Sequence, residues 1–238
     1  DKIRKEKIIF VHNTKHFFLH YIYMKVTTPD TLKDITLQQY QKWLTVSESN
    51  EDDNFLKQKM VEIFCNIPLK DVLNIKASDI DLLIEDINKV FKQEADFIDK
   101  FNYNGVTYGF IPKLDDMSFG EYIDLDTYLP DWKQMHKAMS ILYRPITAEV
   151  KNKYLIEDYQ GADYYDLRNI KLDVVFGALV FFYNLKKELL NLILNYLGNQ
   201  KEIELQVQEM DLLKSGGGIN QYMHWHKEML KDLMTLQK

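Results

Sequence analysis

The sequence predicts a mainly α, α+β fold: a helical domain with a small β-hairpin near 101–111 and a long buried helix near 172–197. Three observations predict it. Apolar residues recur at helical spacing through most of the chain, as in Leu37, Tyr40, Trp43 and Leu44 or Ile80, Leu83, Ile84, Ile87 and Phe91. Asn104-Gly105 stands between residues that favour strands, and this pair supplies the positive φ angles of a two-residue hairpin turn. The stretch Val174 to Phe182 is almost wholly apolar, which suits a helix buried on all sides.

Residues 1–23 are expected to be a leader outside the fold, with the functional protein beginning at Met24. A basic start precedes Ile8-Ile9-Phe10-Val11, but His12, Asn13, Lys15 and His16 interrupt it and no small-residue cleavage site follows, so a signal peptide fits poorly. His12, His16 and His20 would line one face if this stretch were helical, a metal-ligand spacing that a leader does not use.

Residues 24–100 form a helical N-terminal subdomain in this reading. Thr36 caps the first helix, and the polar run Ser47 to Asn54 ends it. That acidic run lacks the glycine and the ligand order of a calcium loop. A second helix covers Phe55 to Asn66, a short helical turn Pro68 to Leu73, and Ser78 caps a longer helix through Phe91. Cys65, the single cysteine, lies in the apolar run Val61, Ile63, Phe64 and Ile67; it excludes an internal disulfide and reads as a buried thiol.

Residues 101–214 carry the hairpin and a central helical core. The second hairpin strand runs to Ile111, where Pro112 removes a backbone donor. Ser118 and Glu121 have capping-box spacing for a helix through Leu125, with Asp126 or Thr127 capping a further turn. Pro130-Asp131-Trp132 starts the next helix, which stops at or before Arg144 because Pro145 disfavours the α region there. The tyrosine-rich stretch Tyr154, Tyr159, Tyr164 and Tyr165 is either a partner surface or a loop packed over the core. In the helix near 172–197, Lys186, Lys187 and Glu188 interrupt the apolar run before the about 18–20 residues that a membrane span needs. Gly177 inside it predicts close packing against another helix. A further helix covers Glu202 to Leu213.

Residues 215–238 read as a flexibly linked C-terminal helix: Ser215-Gly216-Gly217-Gly218, then Ile219 to Leu236 with Tyr222, Trp225, Met229 and Leu230 on one face. The glycines are not a phosphate loop, since no Lys-Ser/Thr follows. His224 and His226 are two apart and point to different faces of a helix.

A net charge of −6 argues against a nucleic-acid partner, which would ask for a basic face. No nucleophile elbow, Walker loop or dinucleotide fingerprint is present, so no catalytic, cofactor-binding or metal-binding residues are assigned. The carboxylates Asp115, Asp116, Glu121, Asp124, Asp126 and Asp131 leave an acid/base pair or a divalent-ion site as a minor alternative; solvated loop acids are the commoner arrangement.

The passage Gly109 to Ile146 contains Phe119-Gly120-Glu121-Tyr122-Ile123-Asp124-Leu125-Asp126, then a helix, then Leu142-Tyr143-Arg144-Pro145-Ile146. It resembles a segment of small morphogenesis proteins of tailed bacteriophages, particularly phages of Bacteroidetes hosts. Val174 to Leu190 resembles a second helix of the same group. The two matches cover under half the chain. The resemblance implies a non-enzymatic protein that binds phage structural proteins during assembly. The first expectation is a tail assembly chaperone acting on a tail tube or tail length-setting protein in the host cytoplasm. The alternatives are a structural virion component, such as a tail or connector subunit, and then a metal-dependent enzyme. The resemblance supplies no catalytic residues. Phe119, Tyr122, Tyr128, Trp132, Tyr222 and Trp225 are the candidate partner anchors, aromatic residues being the usual hot spots of an interface. The first four are otherwise core residues, Phe119 and Trp132 more readily than the two tyrosines. Self-association is left open.

Overall fold

The computed structural model describes residues 6–12, 21–151, 153–182, 184 and 185. The expected continuation of the long helix over 186–197, the Glu202 to Leu213 helix, the glycine link and the C-terminal helix lie outside the described residues. So do Tyr222, Trp225, His16, His20, His224 and His226. The fold is α+β, with helices and a four-stranded antiparallel sheet. The chain divides into two compact units: residues 1–95 with 168–175, and residues 96–167 with 176–238.

The first unit begins with β1 (Glu6–His12) and β2 (Tyr21–Thr27), paired antiparallel from Glu6↔Thr27 to His12↔Tyr21. β1 falls in the stretch expected to be a leader outside the fold, and His12 is on a strand, not on a helix face. Then come α1 (Leu37–Glu48), α2 (Asp53–Phe64), α3 (Leu69–Val72) and α4 (Ala77–Phe91). Thr36 closes a capping box on α1: its hydroxyl accepts from Gln39 N–H at 3.2 Å, and Gln39 Oε1 accepts from Thr36 N–H at 3.0 Å. The next donors of α1 are met by the returning segment, Leu37 N–H to Ile170 O at 3.0 Å and Gln38 N–H to Arg168 O at 2.8 Å. This satisfies amides that a helix start leaves unpaired, and it explains why 168–175 belongs to the first unit.

Leu37, Tyr40 and Trp43 of α1 are buried, as are Met60 to Phe64 apart from Glu62, and Ile80, Leu83, Ile87 and Val90 of α4. Phe91 is half-buried, its ring 5.7 Å from Tyr40 and 5.2 Å from Phe64. Cys65, the single cysteine, is buried. Ser78 does not cap α4. The cap is Lys76, which has no side-chain acceptor, and Ser78 lies in the first turn.

The second unit holds the sheet, in the order β3 (Lys100–Tyr103), β4 (Val106–Phe110), β5 (Tyr143–Val150), β6 (Lys153–Ile156), all antiparallel. Asn104 and Gly105 have φ of 53° and 82°, the positive pair that the hairpin turn requires. Between β4 and β5 come α5 (Phe119–Tyr128) and α6 (Met135–Leu142). α5 is a single helix; Asp126 and Thr127 cap nothing, and the Thr127 hydroxyl donates to Ile123 O at 2.8 Å. α6 passes straight into β5, because Tyr143 already has extended φ and ψ of −121° and 123° ahead of Pro145.

Residues 172–182 are helical, and those from 176 on belong to this unit. Gly177 is a close-approach glycine, but its neighbour is not a helix. A Cβ there would stand 2.2 Å from the Asp96 carbonyl oxygen and 3.3 Å from Phe97 Cα, in irregular backbone. Around it Phe97, Phe110 and Phe181 form a ring cluster with centroids 4.7 to 5.2 Å apart. Tyr143 joins this cluster at 5.2 Å from Phe110, and its hydroxyl donates to Ile98 O at 2.7 Å. No helix among the described residues is long and apolar enough to cross a membrane.

Candidate functional site

α5 is where the second unit concentrates its unusual side chains. Ser118 starts the helix: its hydroxyl accepts from Glu121 N–H at 3.3 Å, and Glu121 Oε2 accepts from Ser118 N–H at 2.6 Å. The other carboxylate oxygen, Oε1, stands 2.7 Å from Arg144 Nη2 on β5. Both side chains are 7% exposed, so this is a buried ion pair. One carboxylate therefore caps the helix and neutralises the strand's guanidinium. The Tyr159 ring lies 6.0 Å from the guanidinium carbon, and its hydroxyl donates to Asp124.

The opposite side of α5 is apolar and faces solvent. Phe119 is 78% exposed, Ile123 45% and Tyr122 40%. Positions i, i+3 and i+4 share one helix face, while Leu125 and Glu121 are buried on the other. The expectation that Phe119 is core is thus overturned. Its neighbour Ser118 fixes the helix start with Glu121 turned inward, and at this phase the first helical residue points outward. Tyr128 is half-buried with the Lys137 ammonium 4.9 Å from its ring centre. Trp132 is half-buried, packed 5.9 Å from Phe176. Of the predicted anchors that are described, then, Phe119 and Tyr122 come together on one exposed face and Tyr128 and Trp132 do not. Ile123, the third member of the face, was missed; its i+4 spacing from Phe119 was the available signal.

The acidic residues of this region scatter into separate local tasks. Asp131 accepts from Lys133 N–H at 2.9 Å, and Asp116 is 3.4 Å from Lys113. Asp126 has one carboxylate oxygen buried without a hydrogen-bond partner, and burial raises its pKa. No group of three or more His, Cys, Asp or Glu side chains among the described residues is placed to hold a metal ion.

The tyrosine-rich stretch from β6 onward divides. Tyr154 lies over Gly109, where a Cβ would stand 2.5 Å from its ring, and its hydroxyl donates to Phe110 O at 2.9 Å. Tyr165 donates to Glu157, and Tyr164, 62% exposed, packs edge-on against Tyr165. Burial first, then the hydrogen bond to a carboxylate and its charge, raise the phenol pKa of Tyr159 and of Tyr165 far above the ordinary range. These phenols lose a proton more readily in the unfolded chain. Their contribution to stability is therefore full below the ordinary phenol pKa of about 10 and is lost as pH rises past it. Melting temperature is expected to fall steeply above that pH, and the slope to flatten in a Tyr159→Phe, Tyr165→Phe variant. Tyr108 and Tyr154, whose pKa values burial also raises, leave a residual slope.

A groove of about 630 Å³ opens between residues 111–117, the first turn of α5 and β6, with Arg144 among its lining residues. Arg144 is the functional candidate that sequence reasoning missed. Comparisons with protein-family models, with curated proteins and with solved structures found no match.

Proposed function

We propose that this chain is a non-enzymatic phage assembly protein, a tail assembly chaperone that covers a structural protein of the phage until it is built into the tail. The observation that supports this reading is the exposed stripe of Phe119, Tyr122 and Ile123. It lies inside the Phe119–Asp126 motif that resembles phage morphogenesis proteins. A helix face of two aromatic rings and one aliphatic side chain is suited to a complementary apolar groove, with i, i+3 and i+4 anchors. The buried pair of Glu121 and Arg144 holds that face at a fixed phase, so it is presented without an ordering cost at the moment of binding. The partner class is a tail tube or tail length-setting protein, met in the host cytoplasm during assembly.

The test is capture from infected host cells with the full chain as bait, beside mass spectrometry of purified virions. A tail structural protein recovered with the bait, and the chain absent from virions, is the expected outcome. Phe119→Ser with Ile123→Ser should lower recovery at least about tenfold, the loss of two apolar anchors, with an unchanged melting temperature. The chain present in stoichiometric amount in virions makes it a tail or connector subunit instead.

A further inference from the structure

Arg144 is one of three arginines in the chain, and its burial beside a groove asks for an explanation beyond its pairing with Glu121. The guanidinium has one described acceptor, Glu121 Oε1, while its Nε is buried with no hydrogen-bond partner. The groove's two carboxylates are both engaged, Glu121 by Arg144 and Asp116 by Lys113. Lys153, the first residue of β6, lines the same groove and has no ion pair among the described residues. The groove is thus lined by one ammonium without an ion pair and by a nine-tenths-buried guanidinium whose Nε–H has no partner among the described residues. Its remaining walls include Ile111, Pro112, Met117 and Leu155. Its volume, about 630 Å³, is within the roughly 300–1,000 Å³ of small-ligand sites.

We propose that this groove binds a carboxylate carried on an apolar chain, with Arg144 and Lys153 as its cationic contacts. A planar carboxylate matches the guanidinium's fork of donors, which a point charge would not need. The apolar walls give the attached chain a surface to cover, which a bare inorganic anion would leave unused. The same chemistry is offered by the C-terminal carboxylate of a peptide ending in apolar residues and by a free fatty acid. This site is separate from the exposed face of α5 and does not depend on the assembly reading.

With so few arginines, the Arg144 Nε–Hε pair can be followed directly by nitrogen–proton NMR on the full chain. The probes are octanoate, an acetylated Val-Leu-Phe tripeptide with a free carboxylate, and octanamide as the uncharged control. A saturable shift of the Arg144 Nε–Hε signal is expected with at least one acid, at a Kd of about 1 mM or tighter, and none with octanamide. Lys153→Met, which leaves the Arg144–Glu121 pair intact, should weaken binding about tenfold, or about 1.4 kcal/mol. Tighter binding of the tripeptide identifies a peptide terminus as the ligand, and tighter binding of octanoate a free acid. No saturable shift with either acid, an equal shift with octanamide, or undiminished binding in Lys153→Met would overturn the proposal.

Discussion

Glu121→Ala is expected to lose about 3–5 kcal/mol of stability, the range for removing one partner of a buried ion pair. The loss arises because Arg144 stays behind. Its side chain is 7% exposed, so the guanidinium cannot turn fully to water without opening the packing around it. The alanine also strips the α5 capping box of the carboxylate that accepts from Ser118 N–H. Two companion variants separate these effects. Glu121→Gln keeps a capping acceptor at the third helical position and loses only the charge, so it should fall between wild type and alanine. Glu121→Leu with Arg144→Met removes both charges and should recover most of the loss, since a buried pair exchanged for apolar side chains of similar volume is often nearly neutral. Urea denaturation of the four proteins measures all three statements. A Glu121→Ala protein as stable as wild type would mean that the pair is not buried in solution.

The second large effect is at Gly177. Alanine there would put Cβ 2.2 Å from the Asp96 carbonyl oxygen and 3.1 Å from its carbon. Both obstacles are backbone, which cannot rotate aside as a side-chain end can. The loss should reach about 3 kcal/mol, the upper part of the range for overpacking. It is partly offset by alanine's better helix propensity, about 1 kcal/mol over glycine. Gly120 is the matched control. It is also helical, and a Cβ there meets nothing within 4 Å. Gly120→Ala should therefore be neutral or stabilising by up to about 1 kcal/mol. Thermal melts of the two variants give opposite signs if the close approach of Asp96 is real, and the same sign if it is not.

Local chemistry made part of this fold legible. Asn104-Gly105 identified the hairpin because few residue pairs accept two positive φ angles in succession. Thr36 and Ser118 identified two helix starts because a hydroxyl satisfies amides that no backbone carbonyl can reach, whereas Asp131 caps only a 3-10 turn, Trp132–Gln134, ahead of α6. Ser78 failed as a cap because the helix already begins at Ala77, with Lys76 in extended conformation as its cap. β5 was hidden for two reasons: it crosses Pro145, and it runs from a buried half to an exposed half without alternation. The return of 168–175 to the first unit rests on backbone bonds to Ile35, Leu37 and Gln38, which carry no side-chain signature.

The candidate site was legible only in part for a related reason. The sequence marks Phe119 as aromatic but does not say on which side of α5 it falls. That is decided by the inward turn of Glu121, and a glutamate is among the residues least expected to be buried unless paired. Its partner, Arg144, lies 23 residues away on a strand that was itself unseen.

The proposed role of α5 is tested most directly by placing the photoreactive amino acid benzoylphenylalanine at position 119 of the full chain and irradiating infected host cells during assembly. A cross-link is expected from position 119 to a tail structural protein, and none from a matched substitution at Leu73, which is 60% exposed on the first unit. Position 119 giving no phage structural protein, or the two positions giving the same products, would contradict it.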